Sequence, residues 1–327
     1  IFLAHLARRT RDDRYAALAA MAANTVEFIS AMFLRRSSGL MNAGAFLGWG
    51  GVVYTLSTVG VLLGEQRYLD HVTQVIAHLP ACAAARPWSD VAHGAAGGVL
   101  GLLAAVRVLG APPIMEAAIA CGDVLLTRAR VSPAGLTWAA PRAPVGASYG
   151  FTRGNAGIAH ALARLGDESG EPRFGAAARK AVAHERSLDA GRDPSWVRGA
   201  AGVGLSRLSW RERDDAVIAD VEGTLAICAE HGFGGDHSLG TGALGALELL
   251  QEARRDGGFS RWDPLFDRHA AQLVEEVTLG GFRSALPLGR EDPALLRGLA
   301  GIGYQLLRLD APTEVPSLLR LDPPLRG

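Results

Sequence analysis

Lysine is almost missing from this 327-residue chain: Lys180 is the only one, and arginine supplies the other basic charges. Basic and acidic residues balance at 33 each, so no basic tract exists for nucleic acid or an anionic membrane surface. Cysteine is scarce as well. Cys82, Cys121 and Cys228 show none of the paired spacings of a structural zinc site or a redox motif, and an odd number of scattered thiols fits a reducing, cytoplasmic setting. Ile1 to Thr10 carries no signal-peptide pattern, and the missing initiator methionine suggests a trimmed piece or one domain of a longer protein. Strand signals are weak, because alternation never persists through a run of β-branched residues. Residues 40–64 contain no charge. The five glycines from Gly44 to Gly60, with Thr55, Ser57 and Thr58, read as a buried helix hairpin rather than a membrane span.

What the chain has in abundance is glycine, placed at regular points. A glycine-rich hinge opens one apolar helical run after another: Gly48-Trp49-Gly50-Gly51, His93-Gly94-Ala95-Ala96-Gly97, Arg153-Gly154-Asn155-Ala156-Gly157, Arg198-Gly199-Ala200-Ala201-Gly202, Gly240-Thr241-Gly242-Ala243-Leu244-Gly245 and Arg297-Gly298-Leu299-Ala300-Gly301. The closing glycines of these six hinges lie 46, 60, 45, 43 and 56 residues apart. Such a period predicts a ring or solenoid of helical pairs rather than a doubly wound sheet. With 49% hydrophobic residues, the chain can bury one large core and is read as a single domain over 1–327. More polar helices are expected over Arg11–Phe33, Arg67–Cys82, Ile114–Arg130, Glu171–Leu188, Arg213–His231 and Pro264–Thr278. Apolar helices are expected to start near 50, 95, 156, 201, 243 and 300. Ala111-Pro112-Pro113 and the stretch Pro133 to Pro144 read as linkers.

The hinges and the residues before them resemble the cyclase half of the class II lanthipeptide synthetases and their stand-alone lanthionine cyclase relatives. The resemblance rests on Gly44-Ala45-Phe46-Leu47-Gly48, Asp90-Val91, Gly150-Phe151, Ser195-Trp196, Asp236-His237-Ser238-Leu239, and Gly298-Leu299-Ala300-Gly301-Ile302-Gly303-Tyr304 followed by Leu306-Leu307-Arg308-Leu309, and it covers residues 44 to 321 in order. It implies an all-α fold, the α/α toroid, with a central zinc that holds a peptide cysteine as thiolate for addition to a dehydrated serine or threonine. It implies a ribosomally made precursor peptide as partner, with a dehydratase domain or another modifying enzyme beside the cyclase.

This chain departs from that pattern where the metal would sit. The resemblance places the zinc ligands at Val197, Gly240 and Thr241, and valine and glycine offer no donor atom, so neither zinc nor any other cofactor is expected. His93, His160, His184, His231 and His237 come from different repeats with no ligand spacing on one helix. Where relatives carry an acid or base histidine, this chain has Arg153, and a guanidinium holds its proton near neutral pH. The expected reactive centre is Asp90, Arg153 and Arg198, with Arg192, His93, Tyr149, His237 and Arg283 as substrate-binding candidates. Each has a plainer reading: Asp90 caps a helix, Arg153 and Arg198 pair with Asp90 and Asp193, and His237 is structural. Two functions therefore stand side by side. One is a zinc-independent enzyme that modifies or cyclises a precursor peptide, and the other is a pseudo-cyclase that binds the peptide or scaffolds a partner enzyme.

Overall fold

A computed structural model describes residues 1–35, 41–139, 149–188, 192–210, 213–233, 235–286 and 291–324. The chain divides into two compact units, one formed by Ile1–Ser148, Arg153–Ser187 and Leu321–Gly327, the other by Tyr149–Thr152 and Leu188–Arg320. In the first unit the apolar helices are α3 (Trp49–Leu63), α6 (Ala95–Leu109) and α8 (Asn155–Ser169), with α3 packed on α6 and α6 on α8. They are backed by α2 (Asp13–Arg35), α4 (Gln66–Ile76), α5 (Leu79–Ala85), α7 (Pro112–Arg128) and α9 (Pro172–Arg186), and α1 (Phe2–Thr10) lies against α2. In the second unit α10 (Ala200–Leu208), α12 (Ala243–Asp256) and α14 (Leu299–Asp310) form the apolar series. Here α11 (Asp215–His231) backs α10, and α13 (Asp263–Gly280) backs α12.

All six apolar helices begin at the expected hinges, and the reason is steric. A Cβ on Gly298 would lie inside the van der Waals radius of the Asp292 carbonyl oxygen, and one on Gly301 would strike the carbonyl of Leu295. The same approach, six residues back from the first and the closing glycine, recurs at Gly94 and Gly97, at Gly199 and Gly202, and at Gly242 and Gly245. The chain thus folds back onto the start of its own helix, and only hydrogen on Cα leaves room. At the other end Gly110 caps α6 at φ 67° and donates to Val106, and Gly64, Gly170 and Gly257 end α3, α8 and α12 in the same left-handed conformation. The uncharged stretch at 40–64 becomes α3, whose Val53, Leu56, Ser57 and Thr58 are buried in protein.

Four expectations need correction. Pro112 and Pro113 are no linker: they occupy the first turn of α7, where a missing N–H costs nothing. The helix expected over Arg67–Cys82 breaks at Ala77-His78, because Pro80 begins a new helix there. Arg11, at φ 55°, separates α1 from α2. A short hairpin of β1 (Arg130–Ser132) and β2 (Gly135–Thr137) turns through Pro133-Ala134. Strands of three residues are too short for alternation to show, and Val131 on β1 is 88% exposed. The rest of the Pro133–Pro144 stretch, from 140 on, lies outside the described residues.

The second unit holds a buried polar network. Arg308 on α14 is wholly buried and donates to Glu248 at 2.6 Å, to Gln251 at 2.7 Å and to Glu252. Gln305 and Ser317 also donate to Glu248, at 2.6 and 2.5 Å, and Arg320 pairs with Glu252 at 2.9 Å. Burial pushes the Glu248 carboxyl up, and the Arg308 charge opposes that shift. This network ties α12 to α14 and to the segment that follows α14.

The glycine constraint predicts a sharp contrast in stability. Gly298→Ala should cost about 2–3 kcal/mol or more, since the clash is with backbone that cannot swing away. Gly223→Ala, at an open position on α11 with no neighbour near its Cβ, should be neutral or stabilise by about 0.5–1 kcal/mol. Denaturant midpoints of the two variants check this, and equal midpoints would contradict it.

Candidate functional site

Three hinges share the same local chemistry. In the second unit Asp193, Asp236 and Asp292 each stand six residues before the glycine that N-caps the helix, Gly199, Gly242 and Gly298. Their Oδ1 atoms accept the backbone N–H two residues on, at 2.8, 2.7 and 2.8 Å. Their carbonyls accept the first helical N–H, from Ala200 at 2.8 Å, Ala243 at 3.0 Å and Leu299 at 2.7 Å. An aspartate in this geometry makes an Asx turn and satisfies groups that would otherwise be orphaned at the helix start. Successive hinges are then joined through backbone: Thr152 N–H donates to Val197 O at 3.2 Å, Val197 N–H to Gly240 O at 3.1 Å, and Gly240 N–H to Leu296 O at 2.7 Å. In the first unit Gly44 donates to His93 O and Ala45 to Val91 O, both at 2.9 Å.

The residue just before the N-cap glycine occupies one repeated register, held by His93, Arg153, Arg198, Thr241 and Arg297. Arg153 is exposed, and the Arg198 and Arg297 side chains are 76% and 62% exposed. Each of the latter two reaches the aspartate of its own hinge, Arg198 to Asp193 at 3.8 Å and Arg297 to Asp292 at 3.6 Å. Arg297 was not among the sequence candidates. Its equivalence to Arg198 is visible in the parallel strings Asp193 to Gly199 and Asp292 to Gly298.

In the first unit Asp90 and His93 are in contact, and the Arg153 charge acts on the Asp90 carboxyl. Asp90 is 6% exposed, its Oδ1 accepts His93 N–H at 2.6 Å, and the His93 ring nitrogen Nδ1 lies 3.5 Å from the same oxygen. The imidazole stacks on Trp88 with ring centroids 4.9 Å apart. Burial raises the Asp90 carboxyl, and the His93 hydrogen bond and the charges of His93 and Arg153 pull the other way. Asp90 therefore does cap its hinge. It stands at the register filled by Ser195, whose Oγ accepts Arg198 N–H at 3.3 Å, but a carboxylate there adds a charge and a proton site.

The remaining candidates have other surroundings. Arg192, 76% exposed, faces Glu230 across 3.5 Å at the surface. Tyr149 is half-buried beside Gly150, whose φ of 95° lets the backbone pass against Arg198. Phe151 packs on Trp196 at 5.1 Å. His237 is fully buried, with Nδ1 accepting Arg283 N–H at 3.2 Å and Nε2 facing Glu276 at 3.2 Å. Arg283 donates to Glu276 at 2.8 Å and to Gly235 O at 3.0 Å. His237 and Arg283 thus form a clamp around Glu276.

The positions that the resemblance gives to zinc are neighbours in the second unit: a Cβ on Gly240 would lie 3.3 Å from Val197 Cγ2. What meets there is a methyl group and a bare Cα, and Thr241 Oγ1 is engaged with Ser238 Oγ at 3.1 Å. These residues do not fit a zinc ion, which needs nitrogen, sulfur or carboxylate donors. Among the described residues no group of three histidine, cysteine, aspartate or glutamate side chains is placed to hold a metal.

The model of the family described as lanthionine synthetase C-like protein matches residues 1–320. The chain belongs to the lanthionine synthetase C-like family. Among solved structures it is similar to nisin cyclase, with a TM-score of 0.74 at 13% identity over 98% of this chain and 88% of that one. A second similar structure, the Lin0763 protein from Listeria innocua, has a TM-score of 0.50 at 14% identity over 80% of this chain and 83% of that one. No curated protein matches the sequence. The fold is thus the all-α toroid class expected from the hinges, and the family match begins well before residue 44.

The clamp gives a pH signature. Hydrogen bonds from Arg283, Gln272 and His237 hold the Glu276 carboxyl down at about 2, from an ordinary value of 4.5. A depressed carboxyl contributes stability that is present above pH 4.5 and lost as pH falls toward 2. Solvent screening at this partly exposed group limits the contribution to about 1 kcal/mol. Melting temperatures of wild type and Glu276→Gln should differ at pH 6 and converge on acidification. A constant difference from pH 6 to pH 2 would contradict the assignment.

Proposed function

We propose that this chain acts on a ribosomally made precursor peptide of the lanthipeptide kind and closes a thioether ring in it without the zinc of its relatives. The observation that carries this reading is the Asp90–His93–Arg153 cluster, which supplies proton-transfer groups and a fixed positive charge at hinge positions, combined with the apolar meeting of Val197 and Gly240. The dehydrated serine or threonine comes from a dehydratase domain or partner modifying enzyme.

The chemistry balances on these side chains alone. The Asp90–His93 pair accepts the proton of a peptide cysteine thiol, and the thiolate forms a C–S bond to the β-carbon of the dehydroamino acid. The displaced π electrons move onto the carbonyl oxygen as an enolate, which the Arg153 guanidinium stabilises through charge-assisted hydrogen bonds. The proton held by the pair then returns to the α-carbon. Burial favours this use of Asp90, because a raised carboxyl is a stronger base than an ordinary one. Arg198 and Arg297, exposed at the same hinge register, supply cationic contacts to carboxylates of the peptide.

The alternative is a pseudo-cyclase that binds peptide or organises the partner enzyme. It draws support from the fact that Asp90, Arg198 and Arg297 all make contacts within their own hinges. Incubation with a dehydrated precursor peptide, followed by thiol alkylation and mass measurement, separates the two. Ring closure should proceed with wild type, fall at least about 100-fold in Asp90→Asn, as loss of a general base does, and fall in Arg153→Ala, with both variants folded by circular dichroism. Peptide binding without thiol loss would sink the enzymatic reading and leave the scaffold.

A further inference from the structure

The inner face of α2 is small, with Ala19, Ala23 and Ser30 buried, and polar contacts fasten it to α4: Asn24 accepts from Tyr68 at 2.6 Å, Ser30 Oγ and His71 Nε2 share a hydrogen bond at 2.7 Å, and Glu27 faces Arg67 at 3.7 Å. The large apolar residues of α2 turn outward, with Leu18 48% exposed, Met21 64%, Phe28 65%, Ile29 46% and Met32 37%. These contacts to α4 pin the helix and prevent it from rolling the stripe inward. A 23-residue helix of this composition also has the length and hydropathy of a membrane span, but its buried face is already taken by protein.

The stripe has the spacing of a helix-pairing seam. Arg14, Leu18, Met21, Thr25, Phe28, Met32 and Arg35 follow one another at intervals of four and three residues, the heptad pattern that keeps one edge of a helix against a partner helix. Between Arg14 and Arg35 that edge has no charge. A different partner helix would have to be selected by flanking charges, and the only charge of α2 between its ends, Glu27, is already paired. The surface that fits a neutral heptad edge is another neutral heptad edge, and the chain carries one.

We propose that two copies of this chain associate through α2, the helices packed antiparallel about a two-fold axis near Thr25. In that register Leu18 faces Met32 of the other copy, and Thr25 faces its own counterpart. The helix dipoles choose the direction, since an antiparallel pair sets the N-terminus of each α2 beside the C-terminus of the other. A parallel pair would set Arg35 against Arg35 and align the helix dipoles. Leu18, Met21, Phe28, Ile29 and Met32 are each about half exposed, so covering the stripe removes about 100 Å² from each, or about 500 Å² per copy and about 1,000 Å² in all, at the lower limit of specific interfaces.

Single-cysteine cross-linking and sedimentation test this directly, since Cys82, Cys121 and Cys228 are buried. The chain should sediment as a dimer at about 100 µM, as an interface of this size allows. Met21→Glu combined with Phe28→Glu should leave a monomer with an unchanged circular dichroism spectrum and melting temperature. Under mild oxidation Thr25→Cys should cross-link to itself. Leu18→Cys should not, but should cross-link when mixed with Met32→Cys. A monomer at that concentration overturns the proposal, as does self-cross-linking of Leu18→Cys. Binding to phosphatidylglycerol vesicles by a chain that never dimerises would assign the stripe to lipid and overturn it equally.

Discussion

The close approach of each hinge to the start of its own helix is the constraint on which the rest depends. Because a carbonyl sits where a Cβ would be, six residues before the N-cap and closing glycines of five hinges, the loop and the helix share one rigid geometry among those repeats. Backbone bonds such as Val197 to Gly240 and Gly240 to Leu296 then fix neighbouring hinges at backbone separation. Side chains at a given register inherit that placement whatever they are. The hinge frame is carried by backbone and glycine, so it does not depend on which side chains stand at Val197 and Gly240, where the resemblance places metal donors.

Charge is handled differently at the two ends of the apolar helices. Near the hinges the charged groups are exposed arginines tethered by short-range aspartates, available to a ligand at little desolvation cost. Away from the hinges, Arg308, Glu248 and Glu252 are buried in a network with amide and hydroxyl partners. Removal of one member of such a buried network is costly because the others lose their counter-charges. Asp90 belongs to neither type, being a buried carboxyl at a hinge, and its proposed transfer of protons, beyond capping its helix, rests on this exception.

Much of the fold was legible because its signals were local. Six glycine hinges located six helix starts within a residue or so, and Gly-rich apolar runs such as Ala95–Leu109 identified buried helices. The breaks at Arg11 and Ala77-His78 were less visible, since a left-handed arginine leaves no compositional mark and Pro80 was outweighed by the apolar period around it. The β1–β2 hairpin was too short to alternate. At the site, the register of Arg153 and Arg198 was readable before each hinge, but Arg297 required the repeated Asp-to-Gly spacing to be seen. The clamp of His237, Arg283 and Glu276 joins residues up to 46 positions apart in sequence, and no local pattern encodes it.

The central claim is that the hinge frame serves peptide ring closure with side chains of the chain itself in place of the family metal. The most direct measurement is ring closure by the purified chain after exhaustive chelation, with the metal content of the same sample quantified. The account predicts substoichiometric zinc and a rate equal to that of untreated protein. About one zinc per chain, with activity lost on chelation and restored by zinc alone, would contradict it.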